Sequence, residues 1–171
     1  YSKILIITDD NIKNYYNKLI NEKLIQINNS FIYIIEAGEP SKSIYVKKEI
    51  EDFMFNKNFD RKSCLIALGG GVVGDLTGYI SSTFMRGIDY IQIPTTLLAM
   101  VDSSIGGKTG IDNKWGKNLI GSFYLPKKII IDEIFLKTLP EDEFINGMAE
   151  IIKIAIVANK ILKKNLKLVK E

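Results

Sequence analysis

The 171-residue chain is 46% apolar and 25% charged, which is enough for one domain with a sizeable core and excludes both a disordered segment and two ordinary domains. Its 23 basic and 20 acidic residues are scattered and leave a formal charge of +3, without the basic stripe of a nucleic-acid binder. No apolar run reaches membrane-spanning length and no secretory signal opens the chain, so a cytoplasmic protein with no membrane partner is expected.

The first run, "SKILIIT", reads as a strand and residues 10 to 24 as a helix. Between them, "ITDDN" places Asp9 and Asn11 where side-chain oxygens suit either ribose hydroxyls or the first N–H groups of the helix. The second run, "FIYIIEAG", leads through Glu39 and Lys42 into a helix over 43–57, and the same two readings apply there.

The third run, "SCLIALGG", carries the single cysteine, Cys64, which has no internal disulfide partner and reads as a core residue. It ends in "LGGGVVGD", a G-x-G-x-x-G through Gly69, Gly71 and Gly74, ahead of a helix over 74–86. Glycines there let a pyrophosphate approach the backbone N–H groups of the helix start, and the structural alternative is a tight strand-to-helix turn. The acid expected about twenty residues on, at the end of the next strand, is missing: Asp89 has the spacing but precedes "YIQIP". Phosphate cradling is therefore supported, and the ordinary dinucleotide fold is not.

"FMRG" supplies Arg86, a candidate bidentate anion contact. After the fourth run, "YIQIPTT", the stretch "DSSIGGKTGIDNKWGKN" gathers Asp102, Lys108, Lys117 and Asn118. Residues 106–121 hold five glycines without clear periodicity and read as a loop or set of turns. Lysines on such a backbone suit a phosphorylated or carboxylated substrate, and they equally suit a solvated loop.

A fifth run, "KIIIDE", precedes a helix from 141 to about 168. Its spacing places Met148, Ile151, Ile152, Ala155 and Ile156 inside, with Glu150 and Lys153 on a shared face as a candidate surface ion pair. From 144 to 158 only these two residues are charged. Apolar strands alternating with helices predict a Rossmann-like, mainly parallel sheet flanked by helices, with ligands outside the carboxyl ends of the strands. With no histidine in the chain, a complete metal site or a histidine base needs residues from elsewhere.

Taken in order, "GGGVVGDLTGY", "FMRGI", "IPTTLLAMVDSSIGGKTGID", "GKNLIGSFYLPK" and "TLPEDEFINGMAEIIK" resemble the 3-dehydroquinate synthases of the shikimate pathway, from about Thr8 to Lys153. The resemblance implies an NAD-dependent lyase that converts 3-deoxy-D-arabino-heptulosonate 7-phosphate into 3-dehydroquinate and phosphate. The family does so by oxidation, phosphate elimination, re-reduction and aldol closure. It implies that Asp9, Asn11, Glu39 and Lys42 bind the adenosine side of NAD and that Gly70, Gly71 and Asp75 line the phosphate path. Thr95, Thr96 and Thr138 match further cofactor contacts.

By the same resemblance, Asp102 and Lys117 lie near the nicotinamide and the reacting carbon, and Lys108, Asn118 and Lys153 contact substrate. Arg86 matches an arginine that reaches the neighbouring subunit of a homodimer, and Glu150 matches one ligand of a zinc ion that cobalt can replace. The other two zinc ligands of the family are histidines from a following helical domain. The expectation is thus an NAD-binding α/β domain over 1–171, with 141–171 leading into that C-terminal domain, and a chain that is inactive alone. The rivals are another sugar-phosphate cyclase, a non-catalytic NAD-binding module, and a metal-dependent polyol dehydrogenase. In the last, a lysine soon after Asp75 is expected, where this chain has "LTGY".

Overall fold

The computed structural model describes residues 1–158 and is built on a five-stranded sheet with helices on both faces. The helical spacing that runs on to about 168 falls, over 159–171, outside the described residues. The strands are β1 (Ile4–Asp9), β2 (Ser30–Ile35), β3 (Cys64–Gly69), β4 (Asp89–Pro94) and the two-residue β7 (Lys128–Ile129). Their order is β2-β1-β3-β4-β7, and every neighbouring pair is parallel. All carboxyl ends therefore lie along one rim.

Side chains alternate across a strand, so each central strand feeds two cores. Leu5, Ile7, Leu65 and Ala67 pack with Ile50 and Met54 of α2 (Ile44–Asn56) and with Leu76 and Ile80 of α3 (Gly71–Thr83). Ile6, Ile66 and Leu68 pack on the other face with Tyr16 of α1 (Asp10–Leu19), with Met100 and with Phe135. Cys64 is a buried member of β3, and burial pushes its thiol up to about 11, so it behaves as a small apolar residue. Asp89 begins β4 and accepts from the Tyr1 hydroxyl at 3.0 Å, at the rim opposite the carboxyl ends.

Three segments differ from the sequence expectation. The glycine-rich stretch is an antiparallel hairpin, β5 (Lys108–Asn113) with β6 (Gly116–Phe123), rather than a loop. Gly110 faces Gly121 across it, and a Cβ at Gly121 would overlap the Thr109 carbonyl oxygen. The strands approach where side chains are missing, so no alternation of apolar residues announces them.

The run "KIIIDE" contributes only Lys128 and Ile129 to the sheet before the chain leaves through a 3₁₀ turn, Glu133–Thr138. In α4 (Glu141–Ala158), Ile152 and Ile156 are exposed rather than inside, while Gly147 and Ala155 are buried. A Cβ at Gly147 would overlap Leu97, so the helix docks through its small residues and turns Ile152 and Ile156 outward.

Candidate functional site

The site is built along the carboxyl rim. Asp9 ends β1 and caps α1 by accepting the Ile12 N–H at 2.8 Å. Burial nonetheless holds its carboxyl above the ordinary carboxylate value, with the Ile12 and Asn11 N–H groups opposing that rise. After β2 the chain passes through Glu39 to Lys42, and Ser43 then caps α2. After β3, Gly70 takes the N-cap position of α3 with no side-chain bond, leaving the first N–H groups of that helix facing the rim.

Bare backbone fits this turn, where a side chain would be tight. A Cβ at Gly70 would stand 3.1 Å from the Thr96 methyl, and one at Gly71 would stand 3.3 Å from Ser103 Oγ. Thr95, after β4, is tied in through its N–H to the Gly69 carbonyl at 3.0 Å. Its hydroxyl and that of Ser103 are buried with no hydrogen-bond partner among the described residues.

Two concavities open here. A cleft of about 830 Å³ gathers Asp9, Asn11, Glu39, Lys42, Gly70, Gly71, Asp75, Thr95, Thr96, Lys117, Asn118 and Thr138. A second, of about 510 Å³, lies between α3 and the hairpin, with Asp75, Asp102, Lys108 and Asn118 on its walls. Asp75 and Asn118 line both.

The nearly buried Lys42 ammonium sits at the shared wall, donating to Asp75 Oδ2 at 2.5 Å and to Asn118 Oδ1. Burial raises the Asp75 carboxyl, and Lys42 opposes that rise. Lys117 lies 3.6 Å from Glu39, across the mouth of the larger cleft.

Three candidates stand apart from these walls. Glu150 and Lys153 form an i,i+3 pair at 2.9 Å on α4, with the lysine side chain 68% and the glutamate 15% exposed. The Glu150 hydrogen bond, and more weakly the Asp102 charge, raise the Lys153 ammonium. The helix ion pair offered by the spacing is thus present, whatever else the two residues do. Arg86 is exposed beyond the far end of α3, about 20 Å from the glycine turn at 1.5 Å per helical residue. It holds a left-handed φ of 71°, next to Met85 at 48°.

Some site residues gave no signal in the sequence. Phe135 lines the larger cleft and meets Tyr16 edge-on at 4.9 Å. The Tyr16 hydroxyl in turn lies 2.7 Å from Thr138 Oγ1 and holds it in place. Ser103, beside Asp102, carries no pattern of its own in the sequence. Among the described residues no three carboxylate or thiol side chains converge as metal ligands, and no described helix is long and apolar enough to cross a membrane.

The family model described as 3-dehydroquinate synthase N-terminal matches residues 32–146. A 3-dehydroquinate synthase from Prochlorococcus marinus (strain MIT 9515) is 50% identical over 167 residues, covering 97% of this chain and 46% of the relative. The chain spans about half the length of such single-enzyme relatives. Among solved structures, a 2-deoxy-scyllo-inosose synthase complexed with carbaglucose-6-phosphate, NAD+ and Co2+ superposes with a TM-score of 0.87 at 25% identity, covering 94% of this chain and 44% of that one. A 2-epi-5-epi-valiolone synthase from Streptomyces hygroscopicus subsp. jinggangensis 5008, with NAD+ and Zn2+ bound, gives 0.83 at 33%, covering 90% and 43%.

Proposed function

The chain belongs to the 3-dehydroquinate synthase family, and from that membership we propose that it is the NAD-binding part of an enzyme that converts 3-deoxy-D-arabino-heptulosonate 7-phosphate into 3-dehydroquinate and phosphate. The observation that carries this reading is the pair of clefts sharing Asp75 and Asn118, one walled by a glycine turn and ribose-type acceptors, the other by lysine and amide groups. The first suits a dinucleotide and the second a sugar phosphate.

The residues present fit NAD. Gly70 and Gly71 leave space that a Cβ would fill, and Thr95 offers a buried hydroxyl that lacks a partner among the described residues. When bound, NAD supplies a hydride acceptor that returns the hydride, so no net redox change accompanies turnover. Asp9 and Glu39 accept from ribose hydroxyls, the α3 N-terminus takes the pyrophosphate, and Thr138, steadied by Tyr16, closes the cleft beside Phe135. Asp102 and Lys117 orient the reacting end, while Lys108, Asn118 and Lys153 hold the anionic groups of the substrate.

The residues described here do not by themselves fit zinc. Glu150 is a single carboxylate already paired with Lys153, where a catalytic zinc takes three protein ligands. In this reading the other ligands come from a C-terminal domain of the same cytoplasmic protein, Arg86 serves the neighbouring subunit of a homodimer, and the 171-residue chain alone does not turn over.

A second reading, another sugar-phosphate cyclase, draws on the likeness to the two solved cyclases. The far higher identity to a 3-dehydroquinate synthase favours the first. Offering the full-length protein heptulosonate 7-phosphate and a hexose 6-phosphate side by side tests this. Phosphate is expected from the heptulosonate only; release from the hexose phosphate alone would move the assignment to the second reading.

A further inference from the structure

We propose that Asp112 is a positioning residue that locks the two clefts into one unit by tying the Lys42 loop to the β5–β6 hairpin. The identities of the two ligands rest on the function proposed above; the tie itself rests on geometry. Asp112 donates its backbone N–H to the Lys42 carbonyl oxygen at 2.8 Å, and its Oδ1 accepts the Asn118 N–H at 2.8 Å. Asn118 Oδ1 then accepts from Lys42 Nζ, which closes a ring of three hydrogen bonds through Lys42, Asp112 and Asn118.

Local geometry explains why this residue can do it. The β5–β6 register shifts between Ile111 and Asn113, so Asp112 drops out of the ladder and its N–H turns toward Lys42 instead of the partner strand. Asn118 holds a left-handed φ of 59°, a conformation asparagine tolerates better than most residues. The Asp112 carboxylate fixes its N–H there and so aims its amide at the wall common to both clefts.

Asp112 lines neither cleft, so its influence reaches ligands through Lys42 on one side, through Asn118 on the other, and through its charge on Asp75. Lys117 and Glu39 repeat the same tie one residue away in the hairpin, through an exposed pair at 3.6 Å.

The test uses the full-length protein, with NAD+ affinity by calorimetry and KM and kcat by phosphate release. Asp112→Ala is expected to weaken NAD+ binding and raise the sugar-phosphate KM about fivefold each, the scale of one net hydrogen bond, while kcat at saturation stays within about twofold. Asp112→Asn keeps an oxygen that accepts the Asn118 N–H and is expected to restore both to within about twofold of the parent. Parent-like NAD+ affinity in Asp112→Ala, or an Asp112→Asn as weak as Asp112→Ala, would overturn the proposal.

NAD+ affinity is read without turnover, so a parent that releases no phosphate counts against the proposed activity while the NAD+ comparison still decides the tie. If Asp112→Ala is recovered unfolded, Asn118→Gly replaces it. That change keeps the positive φ but deletes the acceptor for Lys42, and about fivefold weaker NAD+ binding is expected; unchanged binding overturns the tie.

Discussion

Asp9 carries a conflict between local and tertiary demands. Its carboxylate is a good cap for α1, yet burial lifts its titration above the ordinary 3.8. The folded state therefore holds this proton more tightly than the unfolded chain. The contribution of Asp9 is most favourable below about pH 3.8 and falls as the pH rises through the raised folded value. Asp9→Asn keeps a capping oxygen and removes that fall, so its stability relative to the parent should rise between acid and neutral pH in urea unfolding; a difference that ignores pH would contradict this.

Lys153 separates two roles in the same way. If it contacts substrate, Lys153→Ala should raise the substrate KM with little change in the thermal midpoint, because the lysine end of the pair is exposed and screened by solvent. A lowered midpoint with an unaltered KM would make it a helix ion pair only. At this scale the Asp9 cap was legible, since capping is local chemistry. Asp112, Ser103 and Phe135 were not, because their partners lie on other elements and sequence spacing carries no record of such meetings.

The elements that position the site read well wherever burial imposes a period. β3 is apolar throughout and β1 is apolar from Ile4 to Ile7 because both faces are covered, and the helices after them begin at residues that suit caps or bare turns. The hairpin escaped because its pairing depends on what is missing at Gly110 and Gly121. Gly121→Ala would force a methyl against the Thr109 carbonyl, which cannot move without breaking the ladder. A destabilisation of about 1–3 kcal/mol is expected from thermal or urea unfolding, together with weaker substrate binding. A parent-like melting midpoint would show that the strands separate more easily than their packing implies. The outward face of α4 was misread for a related reason: the depth at which a helix docks is set by its smallest residue, here Gly147, rather than by its most apolar stripe.

At the scale of the molecule, parallel order brings residues from Asp9 to Thr138 to one rim, where two clefts gather them in sets that share Asp75 and Asn118. Arg86, Glu150 and Lys153 line neither cleft, which is why the proposed chemistry calls on a neighbouring subunit and a further domain. The 171-residue chain alone is therefore expected to bind NAD+ weakly in calorimetry and to release no phosphate; steady turnover would refute the division of the site.

The most direct measurement follows phosphate and NADH together as the full-length protein acts on 3-deoxy-D-arabino-heptulosonate 7-phosphate with a trace of NAD+ and with zinc. Phosphate release far in excess of the NAD+ supplied, with no net NADH, is the expected result. No phosphate release, or NADH accumulating in step with substrate consumed, would contradict the assignment.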